Sequence, residues 1–341
     1  MAIADDLFHA ADAARETLHK RITPTDDQFE DQKTRWNDLA AFLRTRLKAD
    51  TALGTRTWLQ GSYKFDTQIR PWMIGAEFDI DLGFYFEWCG TPDQGDYTPD
   101  ALKALIQAAL EDYQSDAEND ATGVEDPKER CCRISFKPDF HIDVPTYHLD
   151  PDRDARALAT ETKGWEGSDP KAIYEWFKKR YDDAARRWQL RRLVRYLKIW
   201  AALQFPDEER PSSILLTVLA AEALQGYHIA GVADDDLLER AAIIVKRRLE
   251  QDHAVPNPVN GEENLNRLDD DATRAFIDRL ADLLVCGRGL RVTGAEGPRG
   301  ALSMNHKPKL SVSYFVFFEF GGVVGNIIEH RKLSAIFSQY L

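Results

Sequence analysis

Apolar residues recur at helical spacing through the first fifty positions, and then the period changes. Leu7, Ala11, Ala14 and Leu18 fall on one predicted helix face within residues 4 to 50. Phe29, Trp36, Leu39, Leu43 and Leu47 mark a second helix from Thr25 onward. Thr23-Pro-Thr-Asp between them reads as a turn followed by an N-cap. At about residue 56 strand residues take over: Arg56 to Phe65 is interrupted by Gly61-Ser62, and Glu77 to Glu87 alternates apolar and polar with period two. The spacing predicts a helix over Ala101 to Tyr113 and strands again between Arg130 and Tyr147. From about residue 168 the pattern is mainly helical. Asp169-Pro-Lys opens one helix, with Asp169 as cap and Pro170 in the first turn. Further helices are predicted over Tyr181 to Leu203, Ile214 to Leu224, Asp234 to Gln251 and Asp270 to Val285. Residues 286 to 309 read as a Gly- and Arg-rich loop, and Leu310 to Phe320 as an apolar strand or buried segment. No internal repeat is present.

Composition narrows the class. A chain of 341 residues, 43% hydrophobic and 11% aromatic, has enough apolar material for two joined lobes. No run of 18 apolar residues occurs, and Met1 to Lys20 lacks the apolar stretch of a secretory signal, so a soluble, cytoplasmic protein with no membrane partner is expected. The four cysteines, Cys89, Cys131, Cys132 and Cys286, lack metal-ligand spacing and are expected to be reduced. A net charge of −13 disfavours broad binding to duplex DNA, while a local basic cluster still suffices for a small phosphorylated substrate.

Three short elements carry candidate chemistry. Gln60-Gly61-Ser62 is a sharp break where backbone N–H groups and a hydroxyl can approach a phosphate. Asp79-Ile80-Asp81 lies on a predicted strand, so both carboxylates project from one face. Such carboxylates repel unless a cation lies between them, and Mg²⁺, with Mn²⁺ as the alternative, suits carboxylates plus substrate phosphates. Asp143, in Phe140-His-Ile-Asp-Val-Pro, supplies a third; Asp139 and His141 share its face and are rival candidates. An isolated Asp-x-Asp is usually a solvated strand edge, and the whole set is what departs from that reading.

The combination resembles the polymerase β-like nucleotidyltransferase superfamily. The strings Gly61-Ser-Tyr-Lys-Phe-Asp-Thr-Gln-Ile-Arg-Pro and Glu77-Phe-Asp-Ile-Asp-Leu-Gly-Phe-Tyr-Phe are similar to those of the bacterial cGAS/DncV-like nucleotidyltransferases (CD-NTases), which make cyclic oligonucleotide signals in anti-phage defence. That resemblance implies an α+β fold, with helices and a mixed-sheet catalytic core in residues 1–165. A mainly helical lobe, residues 166–341, would close the nucleotide cleft. It implies that Asp79, Asp81 and Asp143 are catalytic and hold metal, and that Gln60, Gly61 and Ser62 meet the nucleotide. Arg195-Tyr-Leu-Lys-Ile-Trp and Pro211-Ser-Ser resemble the family's triphosphate-gripping segments, which gives that role to Lys198 and Ser213, with Ser212 the neighbouring alternative. NTPs are the implied substrates, and a regulatory or ligase partner of the CBASS type the implied protein partner. Val255-Pro-Asn-Pro-Val-Asn departs from the family's acidic version, so no direct role is carried over to Asn257, and Asn260 and Asn264 read as turn formers. Arg187, Arg191 and Arg195 share a helix face that reads as solvated and ion-paired, and Trp72, Tyr85 and Tyr227 read as core with base stacking the sharper alternative. Two other classes stay open: a linear-product transferase of the oligoadenylate-synthetase or tRNA-tailing type, and a catalytically silent, antitoxin-like binding module.

Overall fold

Residues 5–11, 14–73, 75–137 and 140–294 are described by a computed structural model. The first predicted helix is not continuous. A single turn, α1 (Asp5–Phe8), is followed by α2 (Leu18–Ile22), where the Thr17 hydroxyl accepts from Lys20 N–H and caps a new helix. The second prediction holds as α3 (Asp26–Thr51), whose N-cap Thr25 forms a reciprocal capping box with Gln28.

After α3 the chain enters the sheet with β1 (Gly54–Gln60), makes the short helix α4 (Gly61–Phe65), and returns as the long β2 (Phe78–Glu87). Helix α5 (Pro99–Ser115) precedes six strands: β3 (Ala121–Val124), β4 (Cys132–Phe136), β5 (Phe140–Val144), β6 (Thr146–Asp150), β7 (Ala155–Thr160) and β8 (Gly164–Gly167). The sheet order is β3-β4-β5-β2-β6-β7-β8, with β1 antiparallel to β2. Strands β5 and β6 run parallel to successive halves of β2 and are separated by Pro145, whose carbonyl accepts from Phe84 N–H at 2.9 Å. Strands β7 and β8 carry no clean alternation and escape the period-two reading.

Strand β2 sorts its side chains strictly by parity. Phe78, Ile80, Leu82, Phe84 and Phe86 are buried against Leu39, Leu43 and Leu47 of α3 and Leu102, Ile106 and Leu110 of α5. Full burial of each such side chain contributes roughly 1.5–3 kcal/mol, so the register is strongly specified, and a slip by one residue would drive Asp79 and Asp81 into that core.

The helical part comprises α6 (Pro170–Lys178), α7 (Ala184–Gln204), α8 (Ser213–Ala223), α9 (Asp234–Gln251) and α10 (Asp270–Gly294), with the small hairpin β9 (Pro256–Asn257) and β10 (Asn260–Asn264) before α10. Asp169 caps α6 as predicted, accepting from Lys171 and Ala172 N–H. The second core gathers side chains from α6 to α10 together with Phe8, Leu18, Ile22 and Phe65, so the first two helices pack with the helical part. Helix α7 is buried continuously from Leu193 to Ala202. The loop predicted from 286 is corrected through 294: α10 runs on through Gly287 and Gly289 to Gly294, the two interior glycines costing only roughly 1 kcal/mol each in a helix already nucleated. Residues 295–309 and Leu310 to Phe320 lie outside the described residues.

Candidate active site

The face of β2 opposite the core of α3 and α5 builds the site by registry. Asp79 stands opposite His141 of β5, and Asp81 opposite both Asp143 of β5 and Gln60 of β1. One strand further out, Arg133 of β4 is registered opposite Asp143. Parallel pairing of β2 with β5 thus brings together carboxylates more than sixty positions apart in sequence. Asp139, one of the two rival candidates, lies outside the described residues.

Arg133 grips Asp143 in a bidentate pair, Nε to Oδ1 at 2.5 Å and Nη2 to Oδ2 at 2.8 Å. His141 stands between two other acids, with Nδ1 2.6 Å from Glu77 Oε2 and Nε2 3.0 Å from Asp79 Oδ1. Burial acts to lower the His141 pKa, but the two carboxylates outweigh it and hold the imidazole above its ordinary range. For Asp79, burial acts upward and is outweighed by His141, then Arg133 and Lys198, so its carboxyl sits below the usual range. For Asp81, burial, then the charges of Asp79 and Asp143, outweigh the attraction of Lys198 and Arg133 and push its carboxyl well above the usual range.

Gly61 is the residue that lets the turn meet this carboxylate. Its φ is +54°, and a Cβ there would lie 1.8 Å from Asp81 Oδ2. Only glycine meets both conditions without strain. Gln60 is committed below the turn: its amide donates to Tyr85 Oη at 2.9 Å and accepts from Tyr147 Oη at 3.1 Å, under the stacked Tyr85–Tyr147 pair. No described residue bonds the Ser62 hydroxyl, while its carbonyl accepts from Thr67 N–H at 2.9 Å.

Helix α7 reaches the same place from the other side. Lys198, 7% exposed, donates to Thr67 O at 2.9 Å. Burial, then the charge of Arg195, pulls its ammonium down to about 8, against the attraction of Asp79 and Asp81. Arg195 is 2% exposed, so the solvated reading fails at that position, while Arg191 and Arg195 are ion-paired, both to Asp66. Arg195 donates to Gln68 O at 3.0 Å and Asp66 Oδ1 at 2.7 Å, and Gln68 Nε2 donates to Asp79 O at 3.0 Å. Helical spacing could not reveal this, since Asp66 and Gln68 arrive from across the chain. Ser212 caps α8, accepting from Leu215 N–H at 3.3 Å, which leaves Ser213 exposed as the first helical residue. Arg210 lies over Trp72 at 4.9 Å, which ties the segment before α8 to the stretch leading into β2. Tyr85 is core, as read, and Tyr227 lies under Arg240. Asn257 and Asn264 bond within the β9–β10 hairpin and around Val255, as turn formers do.

Asp79, His141 and Asp143 each offer a ligand atom within 4.8 Å of the others. Asp79 Oδ1 and His141 Nε2 are buried and face each other at ion-pair distance. A carboxylate oxygen, an imidazole nitrogen and a second carboxylate oxygen gathered within 4.8 Å of one another form a donor set that suits a divalent cation. The composition of the set, mainly carboxylate, agrees.

The sheet, its acidic central strand, the glycine turn and the buried lysine from a helical lobe define a nucleotidyltransferase fold. Residues 55–147 match the family described as cyclic GMP-AMP synthase DncV-like, nucleotidyltransferase domain. Over that domain the chain is similar to the bacterial cGAS/DncV-like nucleotidyltransferases (CD-NTases). It is 31% identical over 280 residues to a cyclic GMP-AMP synthase of Escherichia albertii, covering 82% of this chain and 60% of that relative. It is 23% identical over 288 residues to a c-di-GMP synthase of Roseivirga ehrenbergii, covering 74% of this chain and 73% of the relative. Among solved structures, Escherichia coli DncV in its 3′-deoxy GTP bound form superposes with a TM-score of 0.67 at 22% identity, covering 84% of this chain and 91% of that one. Vibrio cholerae DncV superposes at 0.64 with 21% identity, covering 83% and 90%. Among the described residues no helix is long and apolar enough to cross a membrane.

Proposed function

We propose that this chain is a metal-dependent cyclic dinucleotide synthase that joins two NTPs and releases pyrophosphate at each bond formed. The observation that carries the reading is the registry of Asp79, Asp81 and Asp143 beside a turn that only glycine can make. The relatives named as cyclic GMP-AMP and c-di-GMP synthases support a cyclic product. The chain spans 60% and 58% of the length of the first two such synthases, so their activity is carried over here as a proposal.

In this reading Asp79, Asp81 and Asp143 hold Mg²⁺ or Mn²⁺, which supplies Lewis-acid stabilisation of the triphosphate and acidifies the attacking hydroxyl. Lys198, Ser62 and Ser213 bind the donor triphosphate, the buried ammonium acting as a point charge. Gly61 keeps the turn close to Asp81, and Gln60 braces it from below through Tyr85 and Tyr147. The acceptor ribose hydroxyl gives its proton to a carboxylate of the site, the hydroxyl oxygen bonds to the donor α-phosphorus in line, and the bond to the leaving pyrophosphate breaks. A second transfer of the same kind within the linear product closes the ring. Residues 1–165 serve as catalytic core with its flanking helices, and 166–341 as the lobe that closes over the nucleotides. Work in the cytoplasm, as a signal generator in CBASS-type anti-phage defence with a regulatory or ligase partner, follows from the family resemblance.

The test is incubation with all four labelled NTPs and Mg²⁺ or Mn²⁺, followed by phosphatase and a 3′-exonuclease. A resistant product is expected, and omitting NTPs singly names its bases. A degradable product would replace this reading with a linear-product transferase. Unchanged pyrophosphate release after Asp79→Asn with Asp81→Asn would refute the site assignment.

A further inference from the structure

The three carboxylates account for a metal-dependent transferase, but they leave the Glu77–His141 pair without a task. His141 is 7% exposed, and its two ring nitrogens face different partners. Nδ1 is 2.6 Å from Glu77 Oε2, while the buried Nε2 points at Asp79 Oδ1 3.0 Å away. Histidines that ligate metals characteristically give their other ring N–H to a carboxylate, which fixes the tautomer and aims the free nitrogen. Glu77 occupies that place here. The β2–β5 registry brings the aimed nitrogen together with the Asp79 and Asp143 carboxylates, with all three ligand atoms within 4.8 Å of one another.

We infer that His141, oriented by Glu77, is a cation ligand, so that the ion shared with Asp79 and Asp143 takes one nitrogen donor and a first-row transition metal is preferred over Mg²⁺. The inference rests on the metal-dependent reading above and adds to it the donor set and the selectivity. Mg²⁺ takes oxygen donors in near-ideal octahedral geometry and sheds water reluctantly, whereas first-row divalent ions accept imidazole with carboxylate. An all-carboxylate site has no such preference built in. The alternative role for His141 is a fixed counter-charge between Glu77 and Asp79, and it predicts no bond from nitrogen to metal.

Mn²⁺ is the probe, added to the full chain alone and with a non-hydrolysable ATP analogue. Pulsed electron paramagnetic resonance should show directly bound ¹⁴N, replaced by the ¹⁵N pattern when the protein is made with ¹⁵N-histidine, and lost in His141→Gln. The Mn²⁺ to Mg²⁺ affinity ratio, from competition titration, should fall about 10-fold or more in His141→Gln. Glu77→Gln should weaken Mn²⁺ by about 10- to 100-fold while nitrogen coupling persists at saturation. Mn²⁺ bound with oxygen donors only, or an unchanged ratio in His141→Gln, would overturn the inference and leave the metal-dependent transferase standing. Failure of Mn²⁺ to bind under either condition would remove that reading, and this one with it.

Discussion

Replacing Gly61 by alanine should separate activity from stability. The residue sits at φ +54°, where an alanine costs about 1–2 kcal/mol relative to glycine. Its new Cβ would lie 1.8 Å from Asp81 Oδ2 and 2.8 Å from Asp81 Cγ, distances that no real contact sustains. The atoms that must yield are the tip of a side chain, so the fold survives by rotating the Asp81 carboxyl away. A displacement of about 1 Å at a reacting centre lowers rate by roughly 100-fold. Thermal unfolding of Gly61→Ala should therefore fall by only about 2–8 °C, while pyrophosphate release falls by about 100-fold or more. Gly261→Ala, where an added Cβ meets nothing within 4 Å, is the control and should leave both unchanged. Wild-type turnover in Gly61→Ala would refute the argument that this glycine seats Asp81. A collapse of the fold would show that the turn carries structure as well as chemistry.

Three further outcomes follow from the electrostatics. Burial and two like charges raise the Asp81 pKa, so folding takes up a proton there and stability declines as pH rises above the ordinary carboxyl value; Asp81→Asn should melt higher than wild type at pH 7 in EDTA, with the gap closing toward pH 4. Arg133→Gln removes both charge-assisted bonds to Asp143 and should destabilise the metal-free protein by about 1–3 kcal/mol in urea unfolding; no change would mean that the pair is not formed in solution. His19 is pulled down to about 3 by burial, then by the charges of Arg195, Arg192 and His9, so protonation favours the unfolded chain and stability is lost as pH falls from about 6.5 toward 3. His19→Gln should flatten that limb, which in the wild type is up to about 1.4 kcal/mol per pH unit.

Part of this molecule is written locally. The period-two alternation of Glu77 to Glu87 fixes which face of β2 is buried, because a slip would bury Asp79 and Asp81, so both carboxylates are placed together by sequence alone. Capping residues behave the same way: Thr25 and Asp169 satisfy N–H groups two or three positions away and need no distant partner. Asp143 and Lys198 were legible as a strand acid and a helix lysine of a known pattern.

What the chain could not state is who stands beside whom. Arg133 reads as one residue of a short strand until β4 pairs with β5 and sets it against Asp143. Arg195 reads as a surface arginine until the segment after α4 folds over α7 and buries it, and Gln68 then links that arginine to Asp79. Gln60 has the position of a nucleotide contact, and its side-chain amide is also held from below, because Tyr85 and Tyr147 arrive from two other strands. His141 shares a face with Asp143 in any extended strand, but only the parallel registry with β2 brings its nitrogen to Asp79. Local pattern is set by backbone geometry and the burial of neighbours in sequence. Charge pairing and pKa depend on distances of a few ångströms between segments far apart in the chain, and those exist only once the sheet and the helical lobe have closed on one another.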